Sequence, residues 1–180
     1  LPKILVTGGS GFIGTNFILR NIEKPDVRIV NIDKLTYSSN QDSLLHLEGK
    51  DNYNFVSGDI GDSDIVRGIF NNFSPDCIIN FAAESHVDRS IDSPMDFINT
   101  NIVGTATLLN VALEYYRSLT EGDRFVFIHV STDEVYGSID EGRSSTEHDP
   151  YCPNSPYSAS KASSDHLVRA WDTTYNLPTI

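Results

Sequence analysis

Short, nearly continuous apolar runs rich in Val, Ile and Phe alternate along the chain with longer stretches in which apolar residues recur at helical spacing. Five runs read as strands: KILVT (3–7), VRIVNI (27–32), YNFVSG (53–58), DCIINFA (76–82) and RFVFIHVS (124–131). Apolar residues at successive rather than alternate positions are what a strand requires when both faces of a parallel sheet are covered. Between the runs, residues 12–22, 42–48, 62–73, 95–117 and 157–176 are expected to be helical. Ser93 with Pro94 and Ser155 with Pro156 precede the last two. Serine suits an N-cap, and proline is tolerated in a first helical turn. The alternation predicts an α/β fold, a doubly wound parallel sheet with right-handed crossovers and helices on both faces, in three α/β/α layers.

After the last helix, LPTI (177–180) reads as the opening of a sixth strand. Six parallel strands complete a dinucleotide-binding sheet of the Rossmann type. The expectation is therefore one dinucleotide-binding domain over residues 1–180, the N-terminal part of a longer protein with a C-terminal domain beyond it.

Composition narrows the partners. The 180 residues are 39% hydrophobic and 21% charged, as in a globular domain. Thirteen basic against 25 acidic residues give a net charge of −12, which opposes general binding to nucleic acid or anionic membranes. Cys77 and Cys152 form neither a disulfide framework nor a metal-ligand pattern, so no metal is expected and a reducing cytoplasm is the default. No charged, then apolar, then small-residue leader precedes KILVTGG, and no export signal is expected.

A phosphate ligand on so acidic a chain must be held by local geometry. The first strand runs into TGGSGFIG, placing Gly8, Gly11 and Gly14 before a helix that begins with Phe12 and Ile13. Glycines there permit a tight turn and close approach of backbone to a pyrophosphate, and the helix N-terminus supplies N–H groups and a positive dipole end. Asp33 ends the second strand, beside Lys34. An acid at that distance accepts hydrogen bonds from a ribose and repels a 2′-phosphate, favouring NAD over NADP. Asp59 and Ile60 follow the third strand; Asp59 suits either the adenine amino group or a helix N-cap. Ala82 and Ala83 after the fourth strand leave room for a cofactor, or pack.

Two constellations carry chemistry. In SPYSASK, Tyr157 and Lys161 stand four apart on one helix face, where an ammonium lowers a phenol's pKa and suits it to act as a base. In STDEVYG, Thr132, Asp133 and Glu134 sit at the carboxyl end of the fifth strand, where open α/β sheets bind ligands. A plain alcohol oxidation needs only a base and a hydroxyl partner; two further carboxyl groups imply additional proton transfers. A polar capping turn would use the same residues. In ESHVDRS, Ser85 suits cofactor or sugar and Arg89 suits sugar or phosphate, or pairs with Asp88. His86 is expected to be structural, and Thr100 and Asn101 to be buried hydrogen-bonding groups near the site.

TGGSGFIG, Asp33, STDEVYG and the Tyr157–Lys161 pair resemble the extended short-chain dehydrogenase/reductase family. NIDKLTY, FAAESHVDRSI, NIVGT and SPYSASKASSDHLVRAW narrow the resemblance to its dTDP-glucose 4,6-dehydratase branch, over essentially the whole chain. Ser10 stands where that branch often has alanine. The resemblance implies NAD as cofactor, dTDP-glucose as substrate and a homodimer built on helices 95–117 and 157–176. It implies Tyr157, with Thr132 and Lys161, oxidising the sugar at carbon 4, Glu134 removing the proton on carbon 5, and Asp133 protonating the hydroxyl leaving carbon 6. Asp133 would then need desolvation and its like-charged neighbour to hold its proton. A UDP-glucose 4,6-dehydratase, a UDP-sugar 4-epimerase or decarboxylase, and a non-catalytic NAD-binding module share parts of this pattern.

Overall fold

In the computed structural model, which describes residues 2–180, five parallel strands form one sheet: β1 (Lys3–Thr7), β2 (Arg28–Asp33), β3 (Tyr53–Ser57), β4 (Cys77–Asn80) and β5 (Val126–His129). Their spatial order is β3-β2-β1-β4-β5, so the chain reverses direction across the sheet between β1 and β4. Parallel register sets Thr7 beside Ile32 and Asn80, and Asn80 beside His129, so all strands end along one rim. The tail supplies the expected sixth strand in outline: Phe127 donates to Pro178 O and Ile180 donates to Phe127 O, both at 2.9 Å.

Alternate residues of each strand feed opposite faces. Leu5, Val30, Ile78 and Phe127 pack with Val66, Phe70, Leu108, Leu109 and Val168 from helices α2 (Ser63–Phe73), α5 (Thr105–Ser118) and α6 (Pro156–Tyr175). On the other face Val6 and Ile29 pack with Ile18 and Ile22 of α1 (Phe12–Ile22) and with Leu44 and Leu47. These are the three layers expected. Complete burial of a Leu, Ile or Phe side chain stabilises the fold by roughly 1.5–3 kcal/mol.

Several boundaries differ from the sequence reading. Residues 41–47 form a 3₁₀ helix in place of an α-helix over 42–48. A short helix, α3 (Val87–Asp92), precedes α4 (Pro94–Phe97) where none was expected. The helix expected over 95–117 is interrupted by a π stretch, Ile98–Gly104, which leads into α5. Ser93 precedes α4 but makes no side-chain capping bond, because two short helices join there. Ser155 does cap α6, in a reciprocal capping box with Ser158. Pro94 and Pro156 occupy the first turns they were expected to occupy.

Candidate active site

A cleft of about 370 Å³ opens at the carboxyl ends of β1, β2, β3 and β4, at the point where the strand order reverses. Gly8, Gly11, Phe12, Ile13, Gly14, Asp33, Lys34, Asp59, Ile60, Ala82 and Ala83 all line it, together with Ser85, Tyr157 and Lys161. Val130, Ser131 and Thr100 complete the wall near the helices.

The glycine turn has a division of labour. Gly8 has φ +67°, and a Cβ there would stand 2.6 Å from Ala82 N. A Cβ on Gly14 would stand 2.5 Å from Gly8 O. Gly9, absent from the sequence reading, would collide with the Asn31 side chain, whose Oδ1 accepts from Gly9 N. Gly11 differs: its Cβ would meet only Gly8 O, at 3.4 Å, so its lack of a side chain leaves space open toward the cleft. The first amides of α1 lack intrahelical acceptors by helix geometry. An anion-sized cradle with free donors, in a chain of net charge −12, fits a pyrophosphate.

Asp33 is buried and accepts from Ser10 N (2.9 Å), Leu35 N (2.8 Å) and Ser39 Oγ (2.9 Å). It thus folds the loop after β2 over the cleft, and a carboxylate still has capacity for a ribose hydroxyl. Lys34 donates to Thr100 Oγ1 at 2.7 Å, with Asp59 at 3.6 Å and Glu84 at 3.8 Å. Asp59 is no helix cap: it accepts from Gly61 N, and Asp62 caps α2 by accepting from Asp64 N and Ile65 N. Arg89 lies outside the cleft and forms no pair with Asp88; its guanidinium stacks 3.4 Å from the centroid of Tyr37. His86 is exposed and immediately precedes α3.

Asn101 is buried in the π stretch, with both amide groups used. Its Oδ1 accepts from Glu84 N at 2.9 Å, and its Nδ2 donates to Glu84 O at 2.9 Å and Ser160 Oγ at 2.8 Å. It fastens the segment after β4 to α6, one turn from Tyr157. Thr100, in the same stretch, is also buried.

At the Tyr157 end of the cleft, Asp133–Tyr136 forms one 3₁₀ turn in which Glu134 N donates to Thr132 Oγ1. Asp133 and Glu134 project from it as exposed side chains, so the desolvation expected for Asp133 is not supplied by this chain. Burial pushes the Tyr157 phenol up, the Thr132 hydroxyl pulls it down, and Glu134 and Asp133 push it up again. The expected lowering by Lys161 is not found. The ammonium donates to Val130 O at 2.6 Å and lies 3.5 Å from His129 Nε2, so it is anchored to β5. Burial brings Lys161 down to about 8, against a smaller upward pull from Asp165.

Behind Lys161 is a polar cluster that the sequence reading missed. Thr7 donates to Asn80 Oδ1 at 2.6 Å, and Asn80 Nδ2 lies 3.1 Å from His129 Nδ1. Asn80 can only donate there, so Nδ1 is the acceptor and Nε2 carries the proton. Nε2 then faces Ser164 Oγ at 3.2 Å and Asp165 Oδ1 at 3.3 Å. The one advance signal was a run of polar residues, Thr7, Asn80 and His129, at ends of otherwise apolar strands.

Residues 5–180 match the family model for GDP-mannose 4,6 dehydratase. A dTDP-glucose 4,6-dehydratase from Xanthomonas campestris pv. campestris (strain B100) is 54% identical over 178 residues, covering 98% of this chain and 50% of the relative. The chain spans about half the length of the curated relatives it matches. The crystal structure of DesIV, a dTDP-glucose 4,6-dehydratase from Streptomyces venezuelae with NAD and TYD bound, superposes with TM-score 0.88 at 43% identity, over 98% of this chain and 53% of that one. A UDP-glucose 4-epimerase from Thermotoga maritima, with UDP-glucose, superposes with TM-score 0.85 at 29% identity, over 98% and 53%. A dTDP-glucose 4,6-dehydratase and a UDP-glucose 4-epimerase thus share this backbone.

Proposed function

The chain belongs to the GDP-mannose 4,6 dehydratase family, and on that premise we propose that it forms the NAD-binding and catalytic half of a dTDP-glucose 4,6-dehydratase. The observation that carries this reading is the single 3₁₀ turn that presents Asp133 and Glu134 beside the hydroxyl of Thr132 and the phenol of Tyr157. A base and hydroxyl partner suffice for reversible oxidation at carbon 4, as an epimerase needs; the adjacent acids add the proton transfers of an elimination.

The cleft fits NAD: Gly11 and the start of α1 take the pyrophosphate, Asp33 the adenosine ribose, Asp59 with Ile60 the adenine, and Ala82, Ala83 and Lys161 the nicotinamide half. Bound there, NAD supplies the hydride acceptor and then the hydride donor. Tyr157 takes the proton of the sugar's 4-hydroxyl, with Thr132 holding that oxygen. Glu134 removes the proton on carbon 5, made acidic by the adjacent ketone. Asp133 gives its proton to the hydroxyl on carbon 6, which leaves as water. The dry surroundings Asp133 needs come from the bound substrate and the rest of the protein, where the nucleobase is also read. Ser85 faces the cleft and serves the sugar or the cofactor. Arg89, stacked on Tyr37, reaches substrate only by leaving that ring.

The same reading makes the protein a cytoplasmic homodimer. The exposed Met95, Ile98 and Val103 on the helical stretch from residue 94 onward support an interface there. No helix among the described residues is long and apolar enough to cross a membrane.

The test is the full-length protein with dTDP-glucose or UDP-glucose, read by the alkaline absorbance of a 4-keto-6-deoxy product. Product from dTDP-glucose, lost in both Asp133→Asn and Glu134→Gln although NAD remains bound, is expected. No product from either sugar, despite bound NAD, overturns the reading.

A further inference from the structure

Asp165 is a side chain the proposed chemistry does not use, yet it gathers polar groups from three parts of the fold. It sits on α6, with its side chain only 10% exposed. Its Oδ2 accepts from the hydroxyl of Ser131, just beyond β5, through a short hydrogen bond. The same oxygen accepts from the phenol of Tyr151, in the segment before α6, at 3.1 Å. Its Oδ1 is 3.3 Å from His129 Nε2 but out of line for a hydrogen bond, which leaves that buried oxygen without a donor. The same Nε2 is the atom 3.5 Å from the Lys161 ammonium.

A buried carboxylate is costly unless compensated, and one partner short it is costlier. Beyond accepting from Ser131 and Tyr151, the acid supplies a negative charge one helical turn from Lys161, and His129 Nε2 stands 3.3 Å from the acid and 3.5 Å from the ammonium. Burial pushes the Asp165 carboxyl up, but the nearby His129 and the hydrogen bonds from Ser131 and Tyr151 together outweigh this and hold it below the usual carboxylate range. Asp165 in turn drives the Tyr151 phenol up to about 12, after burial, so Tyr151 stays a donor.

We propose that Asp165 is a positioning residue of this site, clamping the end of β5 and the Tyr151 segment to α6 and holding the Lys161 ammonium charged at the cleft. This rests on the reading that Lys161 acts beside bound NAD. The titratable groups around Lys161 are Tyr157 and Asp165 from α6, and His129 from β5. Asp133 and Glu134 from the following turn act on Tyr157, Tyr151 from the segment before α6 acts on Asp165, and Glu84 from the segment after β4 lines the same cleft. Of these, Asp165 is the anion that raises Lys161.

The test compares full-length wild type with Asp165→Asn and Asp165→Glu. Asn is nearly isosteric and removes the charge; Glu restores it. NAD affinity by calorimetry and turnover of dTDP-glucose are followed from pH 6 to 10. In Asp165→Asn the alkaline fall of both is expected to move down by about one pH unit, the size of shift a single nearby charge produces. Asp165→Glu is expected to move it back toward wild type. An alkaline fall that stays put in folded Asp165→Asn, or a loss uniform across pH, overturns the proposal. Wild type that binds NAD with the shifted limb in Asp165→Asn but makes no product refutes only the dehydratase reading. Should Asp165→Asn not fold, NMR of the wild type decides: the Asp165 carboxyl carbon must show a step at the pH where the Lys161 side chain titrates, and its absence refutes the coupling.

Discussion

The Lys161 ammonium donates to the carbonyl oxygen of Val130 at 2.6 Å, pinning α6 to the end of β5. The residue is 4% exposed, and burial lowers its pKa from 10.5 to about 8. A cation whose folded pKa lies below its unfolded value destabilises the fold most where it is charged in both states, and the penalty is relieved as pH rises through the range in which only the unfolded chain keeps the proton. Here the penalty is complete below about pH 8 and fades as pH rises from 8 to 10.5. At 1.36 kcal/mol per pKa unit it is on the order of 3 kcal/mol, offset in part by the bond to Val130. Lys161→Met is therefore expected to be more stable than wild type by about 1–2 kcal/mol at pH 7 while losing turnover. Thermal denaturation at pH 7 and pH 10 checks this; a stability difference that does not shrink at the higher pH contradicts it.

The glycine turn separates folding from binding. Gly14→Ala forces a Cβ to 2.5 Å from Gly8 O, a backbone atom that cannot step aside, and is expected to cost about 1–3 kcal/mol. Gly11→Ala meets only one atom at 3.4 Å, and its φ of −76° suits any residue. It is expected to leave the melting temperature within a degree or two of wild type and to weaken NAD binding at least tenfold. Equal loss of stability in the two variants would refute the division of labour.

How much of this was legible in the sequence depends on how local each cause is. The strand, glycine turn and helix order of TGGSGFIG and the Ser155 N-cap are patterns of adjacent residues, and the glycines Gly8, Gly11 and Gly14 line the cleft and Ser155 caps α6 as that order requires. Tyr157 and Lys161 share a helix face as their spacing requires, but where the ammonium points is decided by Val130 O, on another element. The π stretch at Ile98–Gly104 was invisible, because one extra residue in a turn leaves the apolar periodicity almost unchanged. Asp165 and His129 were missed for the same reason that makes them interesting: their partners lie on different strands and helices.

Two acids three residues apart illustrate a local ambiguity that geometry settles. Asp62 accepts from Asp64 N at 3.0 Å and Ile65 N at 3.2 Å, satisfying two orphan amides of α2, whereas Asp59 accepts only from Gly61 N and faces the cleft. Asp62→Ala is expected to cost about 1 kcal/mol of stability with NAD affinity unchanged. Asp59→Ala is expected to do the reverse, with a several-fold weaker NAD complex and a near wild-type melting temperature. Calorimetric NAD titrations and melting curves on both variants distinguish the assignments; the opposite pattern would restore the cap to Asp59.

Asn101 offers the sharpest test of how the site is held together. It is 1% exposed, and its three hydrogen bonds tie Glu84 to Ser160. Asn101→Ala leaves the Glu84 amide, the Glu84 carbonyl and the Ser160 hydroxyl without this partner, and is expected to cost about 2–4 kcal/mol. Asn101→Asp keeps the acceptor for Glu84 N but sets a carboxylate oxygen against Glu84 O, in a site with no compensating cation among its bonded partners. Both burial and that repulsion raise the folded-state pKa of the new acid, so its protonated form is favoured in the fold. The sign follows: stability of Asn101→Asp relative to wild type should recover as pH falls from 7 toward 4.5, because a protonated carboxyl again donates to Glu84 O. Asn101→Ala should show no such recovery. Denaturation of both variants at pH 7 and pH 5 reads the difference directly, and parallel behaviour of the two would mean that the amide donor to Glu84 is not what holds the segment after β4 in place.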